Sequence, residues 1–377
     1  MRRPACDGPG TAPGPSERAG IALATTLVVL VATLAWSPPA AADFDAQRSI
    51  DARILTIANL IGEVTVQGYD GSTFEVEVSV RGEEGTPDQV QIEVREGERA
   101  ELYVAYPVGR RTRFVYPELG RNSRSEFSID GDDSLLEERL EAQGARRIRV
   151  SGSGRGHEVW ADVTVRVPAG REIRVELGVG HLEMQGVAAP VRGQVWSGHV
   201  NAADIDGDLL IDTASGHVEA RGVRGAVDID TGSGHVTLSD ADGEEIHVDT
   251  GSGHVELDRI SCRTLDVDTG SGHVEASAVR AERASIDTGS GGVRLALERM
   301  GRGPYEIDTG SGGIDLLLPA DASARVEAET GSGGIRIRRR DARVLYEDDG
   351  EASFELGDGE AHVELETGSG GISISTI

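Results

Sequence analysis

Residues 230–236 read Asp-Thr-Gly-Ser-Gly-His-Val, and variants of this motif recur from Leu177 to Ile337 at nearly constant spacing. Successive copies lie 18 to 21 residues apart, and a longer step of 37 residues precedes the last copy. A fixed period of about 20 residues indicates a repeat architecture in which each unit stacks on its neighbours. The position after the last glycine is occupied in turn by His181, His199, His217, His235, His254, His273, Gly292, Gly313, Gly334 and Gly371.

The Gly-Ser-Gly segment of each copy predicts a corner. If the chain ran straight through residues 232–234, Ile229 and Val236 would point to opposite faces, because side chains alternate along a strand. Both reach one core only if the segment bends, and glycine permits sharp bends because it tolerates positive φ. The sequence therefore predicts an all-β fold, a β-solenoid (β-helix-like) of stacked two-strand rungs with about 18–21 residues per rung.

Composition and local pattern divide the chain into three parts. Residues 1–42 combine arginines, an apolar run and small residues before a cleavage point, which is typical of a secretory signal peptide. Residues 43–170 form an N-terminal β-strand region with a mobile insertion near 109–147, where one short helix is expected at Ser134–Gln143. Residues 171–377 form the repeat β-solenoid.

The charge balance limits the classes of partner. The net charge is -28 and every basic residue is an arginine. An acidic chain repels phosphate backbones, so we expect no nucleic-acid partner. We expect an exported protein of the periplasm, cell surface or extracellular space, touching a membrane only if the signal segment stays uncleaved. Cys262 is the one cysteine after that segment, so no internal disulfide is expected.

Two ladders of polar side chains are the candidate ligand-binding residues. Stacking places equivalent residues of successive rungs one above the other, about 4.8 Å apart. The histidine ladder comprises His181, His199, His217, His235, His254 and His273. The aspartate ladder comprises Asp212, Asp230, Asp249 and Asp268. Neutral imidazoles bind zinc, copper or nickel, but a line of side chains lacks convergent geometry, so we predict no dedicated metal site and no cofactor.

The Asp-Thr-Gly-Ser letters also match the aspartic-protease signature. That chemistry needs two carboxylates that converge on one water, whereas tandem copies place the aspartates in a row, so we predict no catalytic residue. Aspartates one rung apart repel each other. We therefore expect nearby histidines to take up protons readily and mild acid to strengthen the stack.

Three stretches resemble the bacterial putative-adhesin domain family. They are Asn59–Gly68, the Val-Arg-Val-Pro-Ala-Gly segment at 165–170, and the serial Thr-Gly-Ser-Gly units. The resemblance covers most of residues 43–377 and implies a secreted or membrane-anchored, β-solenoid-like domain. The family has Asp or Gly where this chain has six histidines, and it implies no catalytic residue.

The resulting functional expectation is an exported, non-catalytic envelope or cell-surface protein. It would act as an adhesin or scaffold that binds an envelope polymer, a glycan or a protein through its repetitive face. One alternative is an envelope sensor or metal-binding protein that uses the His/Asp ladder. Another is a polysaccharide-degrading β-helix enzyme, which the presence of only Trp160 and Trp196 after the signal segment disfavours.

Overall fold

A computed structural model of the chain describes residues 44–129 and 134–377, which belong to one compact unit. Residues 1–42 lie outside the described residues, so the signal peptide stays a prediction. The helices within the described ranges are all too short or too polar to cross a membrane.

Strands make up nearly all of the regular structure. The first ten are β1 Phe44–Ile50, β2 Ile54–Tyr69, β3 Phe74–Arg81, β4 Gln91–Arg95, β5 Arg99–Ala105, β6 Arg111–Val115, β7 Arg124–Ser128, β8 Arg147–Ser151, β9 His157–Glu158 and β10 Trp160–Pro168. A 3-10 turn at Pro117–Leu119 follows β6, and helix α1, Leu135–Ala142, precedes β8.

The repeat region carries the remaining strands. Those of its first part are β11 Glu172–Gln185, β12 Val191–Asp206, β13 Leu209–Ser215, β14 Val218–Arg224, β15 Val227–Thr231, β16 Val236–Thr250, β17 Val255–Thr269, β18 Val274–Thr288 and β19 Val293–Met300. Those of its last part are β20 Pro304–Thr309, β21 Ile314–Leu318, β22 Ala324–Thr330, β23 Ile335–Ile337, β24 Arg343–Asp348, β25 Glu351–Leu356, β26 Ala361–Thr367 and β27 Ile372–Thr376.

Successive rungs pair in parallel and in register, which confirms the β-solenoid. Strand β16 pairs with β17 so that Val236 faces Val255 and Asp249 faces Asp268. The stack continues towards the N-terminus, because β2 pairs in parallel with β11 from Ile54 to Gln67. The domain boundary placed at residue 170 stays a prediction, since these hydrogen bonds run across it.

The Asp-Ala-Asp-Gly segment at 240–243 predicts a four-residue turn, but the turn in the structure is narrower. Asp240 alone makes it, with a left-handed φ of 54°, and residues 241–243 pair with residues 260–262 of the next rung. The same backbone conformation recurs at Asp204, Arg259 and Ala278. Each of these rungs therefore carries a third short pairing segment between its two longer ones.

The core is a column of aliphatic side chains inside the stack. Val236, Leu238, Ile246 and Val248 of one rung are all at least 99% buried, and full burial of such a side chain contributes about 1.5–3 kcal/mol. The corners are close-packed too. A Cβ at Gly216 would lie 1.6 Å from the carbonyl oxygen of Gly198 in the rung before it, so only glycine allows the rungs to approach.

The described part of the segment at 109–147 contains the predicted helix and also strands that were not expected. It includes β6 and β7, which join β8 and β9 in a four-stranded second sheet. The sequence pattern did not indicate β6 and β7, because charged residues interrupt their alternation. Phe114, Leu136 and Leu140 of this segment are buried. Its mobility stays a prediction.

The rungs of the last part do not stack in chain order. Strand β26 lies between β20 and β22 and pairs in parallel with both. Strand β27 lies likewise between β21 and β23. The rung formed by β26 and β27 is thus inserted between two rungs that precede it in the sequence. Beyond β22, the hairpin of β25 and β24 continues the sheet in antiparallel fashion.

Three buried side chains close this end from inside. The alternation of residues along β25 predicts that Phe354 and Leu356 point inwards, and both are fully buried. Arg339 belongs to the run Arg338–Arg340, whose charges predict a solvated face, yet its side chain is 1% exposed. It donates to the carbonyls of Leu318 and Pro319 and pairs with Asp341. Its guanidinium therefore satisfies carbonyls that the stack leaves open.

Candidate functional site

The six predicted ladder histidines form one continuous stacked column. Neighbouring ring centroids are 4.9 to 5.5 Å apart and the ring planes are inclined by 2 to 27°. All six side chains are exposed. The column exists because parallel pairing places each histidine opposite the next, as for His181 and His199.

Backbone amides of the next rung occupy one nitrogen of several rings. The N–H of His235 donates to Nδ1 of His217 at 3.3 Å, and the N–H of His254 donates to Nδ1 of His235 at 3.1 Å. Gly292 donates in the same way to His273 at 2.9 Å. An accepting Nδ1 carries no proton, so we assign these rings as neutral with the proton on Nε2. Nδ1 of His254 instead lies 3.3 Å from the carbonyl of His273 and acts there as the donor.

The surroundings of His199 oppose its protonation. Partial burial lowers the pKa of His199, and the neighbouring rings of His181 and His217 lower it further. The expectation that aspartates raise the histidine pKa values is therefore wrong for His199. Its titratable neighbours are other imidazoles, because each histidine stacks on a histidine rather than beside the aspartate column.

The aspartate ladder is present and longer than predicted. Asp212, Asp230, Asp249 and Asp268 face one another in successive rungs. The column continues through Asp287, Asp308, Glu366 and Glu329. Burial raises the pKa of Asp249, followed by the charges of Asp230 and Asp268. Burial also raises the pKa of Asp287, followed by the charges of Asp308 and Asp268.

Two polar positions next to the ladders were missed by sequence reasoning. His247 lies between Asp228 and Asp266 on the sheet, with Nδ1 3.3 Å from the Asp266 carboxylate. Glu63 pairs in register with His181, so a carboxylate heads the histidine column. The Ile61-Gly62-Glu63-Val64 segment matches the Val-Gly-His-Leu segment at 179–182, a signal that could have placed Glu63 there.

The structure keeps the protease-like aspartates in a row. Asp230 and Asp249 sit opposite each other on adjacent parallel strands, which is not the convergence from two lobes that this chemistry requires. The described residues contain no group of three His, Cys, Asp or Glu side chains arranged to hold a metal ion. The two tryptophans pack on the second sheet, Trp160 against Tyr116 and Trp196 against Phe127.

The corners fall into two types according to the residue after the last glycine. Where that residue is His217, His235, His254 or His273, the buried threonine of the corner has no hydrogen-bond partner for its hydroxyl; these threonines are Thr213, Thr231, Thr250 and Thr269. Where that residue is glycine, the hydroxyl accepts from the backbone N–H three residues on and donates to a glycine carbonyl; these threonines are Thr288, Thr309, Thr330 and Thr367.

The amide of the last glycine has different acceptors at the two types of corner. At the His217 and His235 corners it bonds to the neighbouring rung, as Gly216 does to the carbonyl of Ser233 and Gly234 to that of Ser252. At glycine corners it bonds to the threonine of its own corner, as Gly291 does to Thr288. We call these the histidine corners and the glycine corners.

Three solved structures align with most of this chain but share little sequence with it. A putative adhesin from Parabacteroides distasonis ATCC 8503 is 14% identical, with 72% of this chain and 96% of that chain covered and a TM-score of 0.40. A putative lipid binding protein from the same organism is 13% identical, with coverages of 88% and 96% and a TM-score of 0.38. A putative cell adhesion protein from Clostridium sporogenes ATCC 15579 is 10% identical, with coverages of 89% and 100% and a TM-score of 0.20.

The family assignment rests on a match to a family model and not on these solved structures. No curated protein shows significant sequence similarity to the chain. The model described as Toastrack DUF4097 matches residues 86–375, which include the second sheet and almost the whole repeat region. This match spans most of the chain and covers both the histidine and the glycine corners. The chain therefore belongs to the Toastrack family.

Proposed function

We propose that this chain is an exported, non-catalytic envelope or cell-surface protein that binds an extended partner along its repetitive face, as an adhesin or scaffold does. The observation that carries the proposal is the histidine column. Six exposed rings of one chemical type recur once per rung at 4.9 to 5.5 Å. A regular linear array suits a partner that is itself linear and regular, such as a glycan or another envelope polymer.

The hydrogen-bonding state of the rings favours a particular partner chemistry. Because backbone amides occupy Nδ1 of His217, His235 and His273, the group left for a partner is the Nε2–H donor. A row of donors fits a polymer that presents acceptors, namely hydroxyl, carbonyl or carboxylate oxygens. A protein partner would have to offer such acceptors at the same spacing.

The metal-binding alternative uses the same residues in another way. A metal ion needs a free imidazole nitrogen and three or four converging ligands. Here Nδ1 of three rings already accepts a backbone hydrogen bond, and stacked rings place their nitrogens in a line. These observations favour polymer binding over metal binding.

The test is a binding screen of residues 43–377 on a glycan array and on linear polymers rich in hydroxyl or carboxylate groups. The column variant replaces His199, His217 and His235 by Asn, whose Oδ1 preserves an acceptor for the backbone amide. The control replaces His247 and His362 by Asn, which removes the same residue type from outside the column. We expect the column variant to lose at least about tenfold in affinity, or about 1.4 kcal/mol, and the control to bind as the parent does.

Other outcomes would contradict the proposal. Equal losses of affinity in both variants would show that the histidine column is not the binding site. Stoichiometric zinc or nickel binding by calorimetry, abolished in the column variant, would support the sensor alternative. Release of shorter chains from any polymer would support the enzyme alternative.

A further inference from the structure

Strand β24, which ends the sheet beyond β25, exposes both of its faces. All six of its residues are exposed, an unusual state for a strand that pairs with a neighbour. It carries three large apolar side chains, Val344, Leu345 and Tyr346, which are 49, 41 and 46% exposed. In the described ranges only one other large apolar side chain, Ile377, is exposed to this degree. The exposed apolar surface is thus concentrated at one end of the stack.

The outer edge of β24 also offers backbone groups. Within the described residues, β24 pairs only with β25, so the amides and carbonyls on its other side have no strand partner. Leu345 has no opposite residue on β25, because the register passes from Val344 directly to Tyr346. An open apolar edge is a template on which another strand adds.

The charge pattern at the β24 end of the stack favours a second copy of this chain as the binding partner. A chain of net charge -28 repels a second copy of itself over most of its surface. Residues 336–349 differ, because they contain Arg336, Arg338, Arg339, Arg340 and Arg343 beside Asp341, Glu347, Asp348 and Asp349. This end is locally balanced, so a second copy meets the least repulsion here.

The sequence of β24 is complementary to itself in antiparallel orientation. It begins with Arg343 and ends with Glu347 and Asp348. A twofold axis at Leu345 would place Arg343 of one copy opposite Glu347 of the other and Val344 opposite Tyr346. Opposite charges and apolar pairs across neighbouring strands each stabilise the pairing, and a twofold contact uses the same patch on both subunits.

We propose that this chain forms a homodimer in which the β24 strands of two copies pair in antiparallel fashion about Leu345. The contact joins the two stacks at their β24 ends and leaves the histidine columns exposed. This inference does not depend on the proposed polymer binding, because it concerns a different surface.

Sedimentation velocity of residues 43–377 between about 1 and 100 µM tests the proposal. The parent is expected to sediment as a dimer at the upper concentrations. Leu345→Lys is expected to shift the dissociation constant upwards by at least about 100-fold, since it places two like charges at the axis. Ile377→Lys is the matched control, because it puts a lysine on an equally exposed apolar position elsewhere, and it should leave the dimer intact.

A charge exchange separates this contact from nonspecific apolar association. Arg343→Glu should give a monomer, and the double variant Arg343→Glu, Glu347→Arg should restore the dimer, with thermal unfolding used to verify that each variant is folded. A monomeric parent at 100 µM overturns the proposal, as does a dimer that survives Leu345→Lys. Capture of an arginine-rich peptide by a monomeric parent also overturns it, because the acidic groove of about 340 Å³ beside Tyr346 would then be the site of a basic partner.

Discussion

The histidine corners and the glycine corners have nearly the same residues but form different hydrogen bonds. At the His217 and His235 corners the last glycine donates to the next rung, the imidazole accepts a further amide, and the threonine hydroxyl inside has no partner. At a glycine corner the threonine hydroxyl takes the amide of its own corner. The residue after the motif thus changes which groups hold the rungs together.

The two regions differ in rung order as well. The rungs with histidine corners, here called the histidine region, stack in chain order. The rungs with glycine corners form the glycine region, in which β26 and β27 are inserted between earlier rungs. A repeat that contacts only its neighbours has a stability set by those neighbours. The glycine region therefore depends on one rung that is remote in sequence, and the histidine region does not.

Removal of the inserted rung should give the largest effect. In a chain that stops at Gly359, β20 and β22 lose the partner that lies between them. We expect amide hydrogen exchange in residues 304–337 to accelerate at least about 100-fold, or about 2.7 kcal/mol of local stability. Residues 191–269 should keep their protection, and equal loss there would show that the two regions unfold together.

Threonine substitutions should separate the corners next. Thr309→Val leaves the amide of Gly312 without its acceptor, so we expect a cost of about 1–3 kcal/mol. Thr250→Val removes a buried hydroxyl that has no partner, so we expect a change within about 0.5 kcal/mol or a gain. Amide exchange of the adjacent strands measures both, and equal costs would erase the distinction between the corners.

A second substitution identifies the cause of that distinction. If the residue after the last glycine decides the pattern, Gly292→His should convert a glycine corner into a histidine corner. Thr288→Val would then become neutral in the Gly292→His background while remaining costly in the parent. Unchanged cost in both backgrounds would place the cause elsewhere in the rung.

Acidification should weaken the histidine region. The folded-state pKa of His199 is lowered from its ordinary value of 6.5, so the unfolded chain binds more protons between the two values. The stabilisation is present above pH 6.5 and is lost as the pH falls towards the lowered pKa. A loss of about 1 kcal/mol on acidification corresponds to about 2–4 °C in Tm for a domain of this size.

The measurement is Tm at pH 7.5 and pH 5.5 for the parent and for the column variant with Asn at positions 199, 217 and 235. The parent should melt lower at pH 5.5, and the column variant should lose most of this difference. A parent that melts higher at pH 5.5 would restore the original expectation that acid strengthens the stack.

Charge removal on the aspartate column should give the smallest effect. Asp249→Asn relieves repulsion from Asp230 and Asp268, so we expect a gain below about 1 kcal/mol at neutral pH, reduced by salt. Asp240→Asn should instead lower the stability, because Asp240 pairs with Arg259. The side-chain hydrogen bond from Arg259 lowers the pKa of Asp240. Tm at low and high salt checks both, and a gain in both variants would contradict the assignment of repulsion to the column.

The sequence was sufficient for the parts of the fold that depend on periodicity. The period predicted the solenoid, the parity across residues 232–234 predicted the corners, and the alignment of His181 to His273 predicted the column. Each of these follows from the spacing of residues in one rung and its neighbour. The inward orientation of Phe354 and Leu356 followed from the same alternation.

The order in which the rungs stack could not be predicted, because several strand edges have the same residue pattern. Every rung has the same residue pattern, so the local sequence of β26 does not specify pairing with β20 and β22 rather than stacking after β23. The burial of Arg339 depends on this rung order, since its carbonyl partners come from Leu318–Ala320. The histidine tautomers depend on amide positions in the next rung, which residue spacing alone does not specify.

The inserted rung has a consequence for the order of folding. Residues 361–374 are synthesised after both of the rungs that they join, so β20 and β22 cannot reach their final pairing while the chain is still being made. Until then their edges are open to each other and to other chains, which is the condition under which a strand pairs with the wrong partner. The histidine region can assemble rung by rung as it is made, whereas the glycine region closes in a single late step.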